Sequence, residues 1–138
     1  MGLYNRNEIT ITETGEGNFT QSIRIGKHII TADEPEAVGG NDNGPNPYDL
    51  LLASLGACTS ITLRMHALQK NIPLKTIHIN LSHEKVDEED LIHCTIYVEG
   101  DLTSTQKDEL FRAAEKCPIH KTLKYSSSIT TVLQTKED

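Results

Sequence analysis

An apolar stretch over residues 50–63 constrains the fold of this 138-residue chain more than any other feature of its sequence. It directly follows Asn46 and Pro47, residue types preferred before a helix and at its first position. We predict a helix that runs to about Lys70, because Pro73 prevents much continuation. Its first half is apolar nearly all round, which is typical of a helix buried on every side. One domain of this size is too small to surround such a helix fully, so we predict that a partner subunit completes its burial in a homodimer.

The rest of the chain combines short stretches of alternating apolar and polar residues, which predict strands, with two further helical segments. Strands are predicted at residues 3–12, 19–25, 28–31, 75–82, 91–98 and 128–133. Thr103 and Gln106 resemble a capping box, which predicts a second helix as far as Lys116. A short third helix is predicted over residues 119–124. This order predicts a single α+β domain, residues 1–138, with antiparallel sheets.

The charge balance excludes several classes of partner. The chain carries 20 acidic against 13 basic residues, a formal net charge of -7, and has no basic cluster. Nucleic acids and anionic membrane surfaces both require a positive patch, so neither is a predicted partner. The apolar stretch is shorter than the roughly 20 residues of a membrane span, and the N-terminus has no apolar signal core. We therefore expect a cytoplasmic protein whose three cysteines are mostly reduced.

The three cysteines lie in different local patterns. Cys58 lies in the middle of the predicted long helix, where the pattern alone favours a small buried core residue. Cys117 directly precedes Pro118 and a predicted helix start, where unpaired backbone N–H groups stabilise a thiolate. Packing alone explains Cys117 equally well. Cys94 alternates in phase with the apolar residues of a predicted strand, which predicts a buried and inert core thiol.

Neither a metal nor another cofactor is predicted. The six histidines have no metal-ligand spacing on a helix, and Cys117 with His120 alone is a weak zinc signal. The glycines before the long helix do not match a phosphate-binding loop. If the chain is catalytic, its chemistry therefore has to come from thiols.

Two cysteine-containing segments carry the most specific pattern: residues 39–59, GGNDNGPNPYDLLLASLGACT, and residues 100–123, GDLTSTQKDELFRAAEKCPIHKTL. Together, at this separation, they resemble the OsmC/Ohr family of osmotically inducible and organic-hydroperoxide-resistance proteins. The resemblance covers nearly the whole chain. It implies antiparallel sheets wrapped around a long buried central helix. It also implies an intertwined homodimer in which both subunits build each active site.

The resemblance also implies a thiol-dependent peroxidase that reduces organic hydroperoxides and is reset by a thiol reductant of the dithiol or lipoyl type. Cys58 matches the attacking cysteine, and Cys117 matches the resolving one. Well-studied members carry Glu where this chain has Tyr48, so Asp49 is the candidate for tuning the thiol, together with Arg24. An apolar pocket would favour alkyl hydroperoxides, and its candidate lining is Leu51, Leu55, Ile61 and Met65.

Two other functions are compatible with the sequence. A non-catalytic or weakly active stress-associated binding protein of the same fold would use its cysteines only as core residues. The substitution at Tyr48 favours this alternative slightly. A general disulfide exchanger is less well supported, because the chain has no Cys-x-x-Cys pair.

Overall fold

The computed structural model describes residues 8–135 as an α+β protein with two antiparallel sheets and one long helix, which confirms the predicted fold class. The chain divides into two compact units, one ending at Ala53 and the other beginning at Ser54. The first contains β1 (Ile9–Glu13), β2 (Gln21–Ile25), β3 (His28–Ala32), a 3₁₀ turn (Glu36–Val38) and the start of α1 (Pro47–Lys70). The second contains the rest of α1, β4 (Leu74–Val86), β5 (Glu89–Gly100), α2 (Ser104–Ala114) and α3 (Pro118–Lys124). That residues 1–138 form a single domain stays a prediction.

The first three strands form one antiparallel sheet in the order β1-β2-β3. Ile23 in the central strand pairs with Ile11 on one side and Ile30 on the other. The turn between β2 and β3 takes two residues and begins at Gly26, whose φ of 58° suits a residue without a Cβ. The predicted strands are confirmed here within a few residues at their ends. Residues 3–7 of the first prediction lie outside the described part of the chain.

Asp33 organises the loop that leads from β3 to α1. Its side chain is 2% exposed, and its carboxylate accepts hydrogen bonds from the Thr20 hydroxyl at 2.8 Å and the Glu34 N–H at 2.7 Å. The N–H of Asn43, ten residues along the loop, donates to the same carboxylate at 3.1 Å. Burial alone would raise the pKa of Asp33, but these hydrogen bonds to its charged form lower that pKa below its ordinary value. The loop is therefore held together by one satisfied buried charge.

The long helix α1 begins and ends where the sequence predicts. Asn46 caps it, with its Oδ1 accepting the N–H of Asp49 at 2.8 Å, and the helix ends at Lys70. Asn71 follows at a φ of 54°, the left-handed conformation common just after a helix. By length and composition α1 could cross a membrane, as can the core helices of many soluble proteins. The argument against a membrane span from length is therefore wrong.

The single chain buries one face of α1 and leaves the opposite face exposed. Its buried residues form one stripe, at the three- and four-residue spacing of a helix face: Leu55, Gly56, Thr59, Leu63 and Ala67. Ile61, Met65 and Leu68 lie on the opposite face and are 55%, 59% and 70% exposed. A single chain therefore covers only one face of α1, and burial of the other face by a partner subunit stays a prediction.

Strands β4 and β5 form a hairpin whose two strands are longer than predicted. Predicted strands 75–82 and 91–98 are both present, but pairing extends from Leu74 with Gly100 to Val86 with Glu89. The difference arises at the turn, which takes only two residues, Asp87 and Glu88, with φ of 50° and 70°. Two positive φ angles match the twist of the flanking strands, so the ladder continues to the turn.

The core of the C-terminal unit lies where α1, the hairpin and α2 meet. The predicted capping box starts α2: the Thr103 hydroxyl accepts the Gln106 N–H at 3.1 Å, and the Gln106 side chain accepts the Thr103 N–H at 3.0 Å. The buried cluster combines residues of all these elements: Leu63, Ala67, Ile72, Leu74, Leu110, Ala113 and Ala114. α2 ends at Ala114, two residues before the predicted end. This packing fixes the segment that follows α2.

The predicted last strand, residues 128–133, is wrong for the single chain. The segment has no strand partner among the described residues. Ile129, Val132 and Leu133 are 86%, 77% and 97% exposed. Its alternating pattern suits a strand, but a strand forms only where a neighbouring edge can pair with its backbone groups.

Candidate active site

Cys58 lies near the middle of α1, in the part of the helix that belongs to the C-terminal unit. It is half-buried, beside the buried stripe that contains Leu55 and Thr59. Thr62, one turn further along, forms a side-chain hydrogen bond with the Cys58 thiol. The helix therefore holds this thiol on a rigid element, with one side facing the core.

Cys117 lies at the break between α2 and α3. Its exposed fraction is 0%, and its N–H donates to the Ala114 carbonyl at 3.2 Å. Pro118 is the first residue of α3, so the chain changes direction at Cys117. This change of direction places the Cys117 thiol in a side-chain hydrogen bond with Cys58, although the two residues are far apart in sequence.

The surroundings of Cys58 favour its neutral form. Burial raises the pKa of the Cys58 thiol, and Cys117 raises it further as a hydrogen-bond partner and as a like charge. The N–H of Ile119 and the side chain of Thr62 lower the pKa, but they do not compensate. All of these groups belong to the C-terminal unit.

The start of α3, directly after Cys117, contributes a backbone N–H to Cys58. Cys117 caps α3 but makes no side-chain capping hydrogen bond. Pro118 has no N–H, and the N–H of the next residue, Ile119, interacts with Cys58 instead. The stabilisation of a Cys117 thiolate by backbone N–H groups stays a prediction.

Two cavities, of about 280 and 120 Å³, share three lining residues: Leu55, Cys94 and His120. Cys58 and Cys117 line neither of them, but sequence neighbours of both do. The larger is completed by Asp90, Ile92, Leu123 and Lys124. The smaller is completed by Thr59, Ile96, Phe111, Ala114 and Glu115. Leu55 and Thr59 flank Cys58 on α1, while Ala114 and His120 are each three residues from Cys117. The walls are mainly apolar. They also contain two acidic residues, Asp90 and Glu115, one lysine, Lys124, and one histidine, His120.

The predicted pocket residues are distributed over different surroundings. Leu55 is buried and lines both cavities. Ile61 and Met65 line neither of them, because they lie on the exposed face of α1. Leu51 lies in the part of α1 that belongs to the N-terminal unit and is 37% exposed. A role of the last three in substrate binding stays a prediction.

The two predicted tuning residues lie in the N-terminal unit. Arg24 is exposed on β2, between Thr10 of β1 and Ile29 of β3. Asp49 is exposed in the first turn of α1. Their predicted effect on the thiol stays a prediction.

Cys94 differs from its prediction and joins the site. Its side chain lies on the same face of β5 as Ile92 and Ile96, as the alternation predicts, but it is exposed and lines both cavities. The prediction of a buried Cys94 is therefore wrong. The alternation gives the face of a strand correctly, but it does not show whether other elements fill the space above that face.

His120 is a second cavity residue that sequence reasoning missed. The sequence suggested it only as a weak zinc ligand with Cys117, and no other local pattern marked it. Within residues 8–135, no group of three or more His, Cys, Asp or Glu side chains is arranged to hold a metal ion. The position of His120 in the cavity wall depends on how α3 packs near the hairpin, which the spacing of residues does not reveal.

Comparison with known proteins gives a family and a fold. A family model described as OsmC-like protein matches residues 39–132, more than half of the chain. No curated protein sequence matches the chain. The crystal structure of an OsmC-like protein from Mycoplasma pneumoniae has a TM-score of 0.74 at 20% identity, over 86% of this chain and 87% of that one. These comparisons extend the likeness beyond the two cysteines to most of the fold.

Two further crystal structures are similar over most of both chains. An organic hydroperoxide resistance protein OsmC from Legionella pneumophila has a TM-score of 0.61 at 20% identity, covering 84% of this chain and 88% of that chain. The organic hydroperoxide resistance protein OhrB of Bacillus subtilis has a TM-score of 0.56 at 28% identity, covering 83% and 87%. Proteins with this fold therefore include two that are named for hydroperoxide resistance.

Proposed function

The chain belongs to the OsmC-like protein family, and we propose that it is a thiol-dependent peroxidase that reduces organic hydroperoxides. Membership confirms the family resemblance drawn from the two cysteine-containing segments. Two structural neighbours are organic hydroperoxide resistance proteins, which links this fold to peroxide-related stress. The peroxidase reaction itself is proposed here from the residues of the site.

The contact between Cys58 and Cys117 is the observation that carries this proposal. The fold brings two cysteines from distant parts of the sequence into a side-chain hydrogen bond. Two adjacent thiols in a reducing compartment can interconvert with a disulfide without large movement of the backbone. A binding protein has no need of this pairing, whereas a peroxidase that must trap a sulfenic acid does.

The reaction needs both thiols. The Cys58 thiolate attacks one peroxide oxygen of ROOH, an S–O bond forms, the O–O bond breaks, and the alkoxide takes a proton and leaves as ROH. Cys58 is then a sulfenic acid, which further peroxide would oxidise irreversibly. The Cys117 thiol attacks the Cys58 sulfur, an S–S bond forms and water leaves. Trapping as a disulfide therefore protects Cys58 from over-oxidation.

A thiol reductant has to close the cycle. A dithiol, of which a lipoyl group is one type, gives up two electrons and two protons, becomes a disulfide, and returns Cys58 and Cys117 to thiols. Such reductants are available in the cytoplasm, where we expect the protein. The apolar cavity wall at Leu55, Ile92 and Leu123 supports a substrate with an alkyl group.

A homodimer with shared active sites is the assembly that we propose for this reaction. The groups of the C-terminal unit raise the pKa of Cys58, so a productive site needs a further cation or hydrogen-bond donor. The exposed apolar face of α1, with Ile61, Met65 and Leu68, and the exposed residues 128–133 both support a partner subunit. A stable folded monomer of 15.3 kDa in light scattering at micromolar concentration would contradict the dimer.

The alternative is a non-catalytic or weakly active binding protein of the same fold. One observation favours it: the raised pKa of Cys58 reduces the thiolate available at neutral pH. Tyr48, at the position where well-studied relatives have Glu, points the same way. The contact with Cys117 outweighs both, because it provides the trap that only a redox cycle uses.

Oxidation by one equivalent of cumene hydroperoxide tests the proposal. We expect the intact mass to fall by two hydrogens and peptide mapping to find Cys58 in a disulfide. The Cys117→Ser variant should still react once, because Cys58 attacks first. Without its resolving partner, more of its Cys58 should proceed to sulfinic acid under excess peroxide. Three free thiols in the folded wild-type protein after this treatment would support the binding protein instead.

A further inference from the structure

A cavity of about 600 Å³ lies within the N-terminal unit. It is bordered by β2, β3, the loop that follows β3 and the first residue of α1, and its apolar lining consists of Phe19, Ala32, Val38 and Pro47. Ligand sites in proteins commonly have volumes of about 300–1,000 Å³ and mainly apolar walls. None of the three cysteines, all of which lie in the described part of the chain, lines this cavity. A ligand bound here would therefore be independent of the proposed thiol chemistry.

The loop holds the apolar wall of this cavity in place. Val38 ends the 3₁₀ turn, and its N–H donates to the Pro35 carbonyl at 3.1 Å. An ideal Cβ placed on Gly39 would lie 3.4 Å from Cε2 of Phe19, so the backbone of the loop packs against the edge of that ring. Phe19 and Val38 are nevertheless exposed. The apolar wall is therefore formed in the free protein but is not covered by the chain, which is typical of a binding surface.

The polar lining of the cavity offers hydrogen-bond acceptors. Gln21 donates through its Nε2 to the Phe19 carbonyl at 3.1 Å, which leaves its Oε1 as an acceptor. Glu34 is half-buried, and within residues 8–135 no hydrogen bond or ion pair holds its carboxylate. Asp33 also lines the cavity, but its oxygens already accept the three hydrogen bonds described above. The acceptors open to a ligand are therefore those of Glu34 and Gln21.

The cavity carries negative charge without a cation beside it. Two carboxylates line it, whereas no Lys, Arg or His of the described chain does. Residues 8–53 contain eight acidic and two basic residues, and the basic ones are Arg24 and Lys27. Arg24 is three positions from Gln21 along β2 and so points to the opposite face, and Lys27 lies in the turn at the far end of that strand. A ligand that balances this charge therefore has to bring its own cation.

The backbone of the loop fixes Glu34 at the cavity. Its N–H donates to the Asp33 carboxylate at 2.7 Å, and its carbonyl accepts the Asp42 N–H at 3.0 Å. A Cβ on Gly40 would overlap the Glu34 carbonyl oxygen, so the loop closes tightly around this residue. These three contacts involve the main chain of Glu34 and not its carboxylate. The carboxylate is thus held on a rigid support, which reduces the cost of ordering it when a ligand binds.

We propose that this cavity binds a small organic primary amine in its ammonium form. The apolar body of the amine packs against Phe19 and Val38, and its N–H groups donate to the Glu34 carboxylate and the Gln21 Oε1. An anion would be repelled by the two carboxylates, and an uncharged apolar molecule would leave Glu34 withdrawn from water without a partner. A quaternary ammonium has the charge but no N–H group to donate. The cavity is a second site, distinct from the reaction proposed above.

Titration of the isotope-labelled full-length protein with 2-phenylethylamine, followed by amide NMR, tests this site. We expect the amide signals of Glu34, Val38 and Gly39 to shift and to saturate at about 1 mM amine or below. 2-Phenylethanol has nearly the same shape without the charge. It should bind at least about tenfold more weakly, because it forms no charge-assisted hydrogen bond with Glu34. Equal binding of the alcohol and the amine, or no saturable shift up to about 10 mM amine, would overturn the proposal. A partner subunit that fills the cavity would give the second of these results.

A pair of variants locates the ammonium group. Glu34→Gln should weaken binding of 2-phenylethylamine about tenfold and leave binding of 2-phenylethanol unchanged. Glu36→Gln is the control, because it removes an acid of the same loop that does not line the cavity, and it should bind the amine as the wild type does. Circular dichroism checks the fold of both. Equal amine affinities in the two folded variants would overturn the proposal. If Glu34→Gln does not fold, the comparison of amine and alcohol on the wild-type protein decides alone.

Discussion

Asp33 in the N-terminal unit is buried and Cys58 in the C-terminal unit is half-buried, yet their pKa values shift in opposite directions. The pKa of Asp33 is lowered, which favours its charged form, whereas the pKa of Cys58 is raised, which favours its neutral form. Burial raises the pKa of Asp33, but the hydroxyl of Thr20 and several backbone N–H groups reverse the shift. Burial also raises the pKa of Cys58, and the N–H of Ile119 is too little to reverse it. The number of donors aimed at the charged form decides the outcome.

This difference separates a structural charge from a reactive one. Asp33 has its hydrogen-bond partners within its own loop, so it is ionised, satisfied and unavailable for chemistry. Cys58 has a second thiol as its neighbour, and its charged form lacks sufficient support within the unit. A site that is incomplete in this way can respond to a substrate or a partner subunit, whereas the Asp33 cluster can only hold the loop.

The largest expected effect follows from removing the reactive group. Cys58→Ser should lower hydroperoxide consumption by at least about 1000-fold, because a serine hydroxyl is a far weaker nucleophile without an adjacent base. Residual hydroperoxide after mixing with the protein measures this rate. Ser60→Ala, two residues along the same helix, is the control and should consume hydroperoxide at the wild-type rate. Consumption by Cys58→Ser would identify another thiol as the attacker.

Removing the structural charge should affect stability. Asp33→Ala leaves the Thr20 hydroxyl and the Glu34 and Asn43 N–H groups without their acceptor, and buried donors without partners are destabilising. We expect the unfolding temperature to fall by several degrees in a thermal melt followed by circular dichroism. The matched control is Glu36→Ala, an exposed acidic residue of the same loop. Equal melting temperatures for the two variants would show that the Asp33 cluster does not hold the loop.

The pH dependence of thiol reactivity sharpens the comparison further. Because the pKa of Cys58 is raised, its thiolate fraction at a given pH is lower than that of an ordinary thiol. Alkylation of Cys58 by iodoacetamide, followed by peptide mass analysis, should therefore reach half its maximal rate above the ordinary thiol value of about 8.5. A half-maximal rate near neutral pH would mean that the assembled protein supplies an activating group, which the proposed dimer could provide.

The smallest expected effect concerns one hydrogen bond to Cys58. Thr62 lowers the pKa of Cys58, so Thr62→Val should raise it and slow alkylation at neutral pH by about twofold to threefold. Thr62→Ser keeps the hydroxyl and should restore most of the rate. If valine and serine behave alike, the hydroxyl does not stabilise the thiolate.

The local parts of the fold could be predicted from the sequence because their signals act over a few residues. Asn46 and Pro47 define the start of α1, and the Thr103–Gln106 capping box defines the start of α2. The pattern of residues 128–133 also suits a strand, but a strand depends on an edge elsewhere in the assembly. The periodicity of a sequence carries no information about such distant neighbours.

The candidate site could be predicted only in part, for the same reason. The family resemblance identifies Cys58 and Cys117, and the fold brings their thiols together. Cys94 was assigned to the correct strand face, but its exposure depends on how α1 and α3 pack over the hairpin. The effect of Ile119 on Cys58 likewise arises from tertiary packing, so a helix start in the sequence did not reveal which thiol it would affect.

The two-residue turn at Asp87 and Glu88 determines which side chains of β5 face the cavities. It fixes the register of the hairpin, so that Cys94 lies opposite Leu81. Because successive side chains of a strand point to opposite faces, one inserted residue in the turn would shift β5 by one position and turn His93 or Thr95 toward the cavities. The sequence would still contain three cysteines, but Cys94 would lie on the face of β5 that points away from the cavities. The length of the turn, which contributes no atom to the reaction, thus determines whether Cys94 lines the cavities.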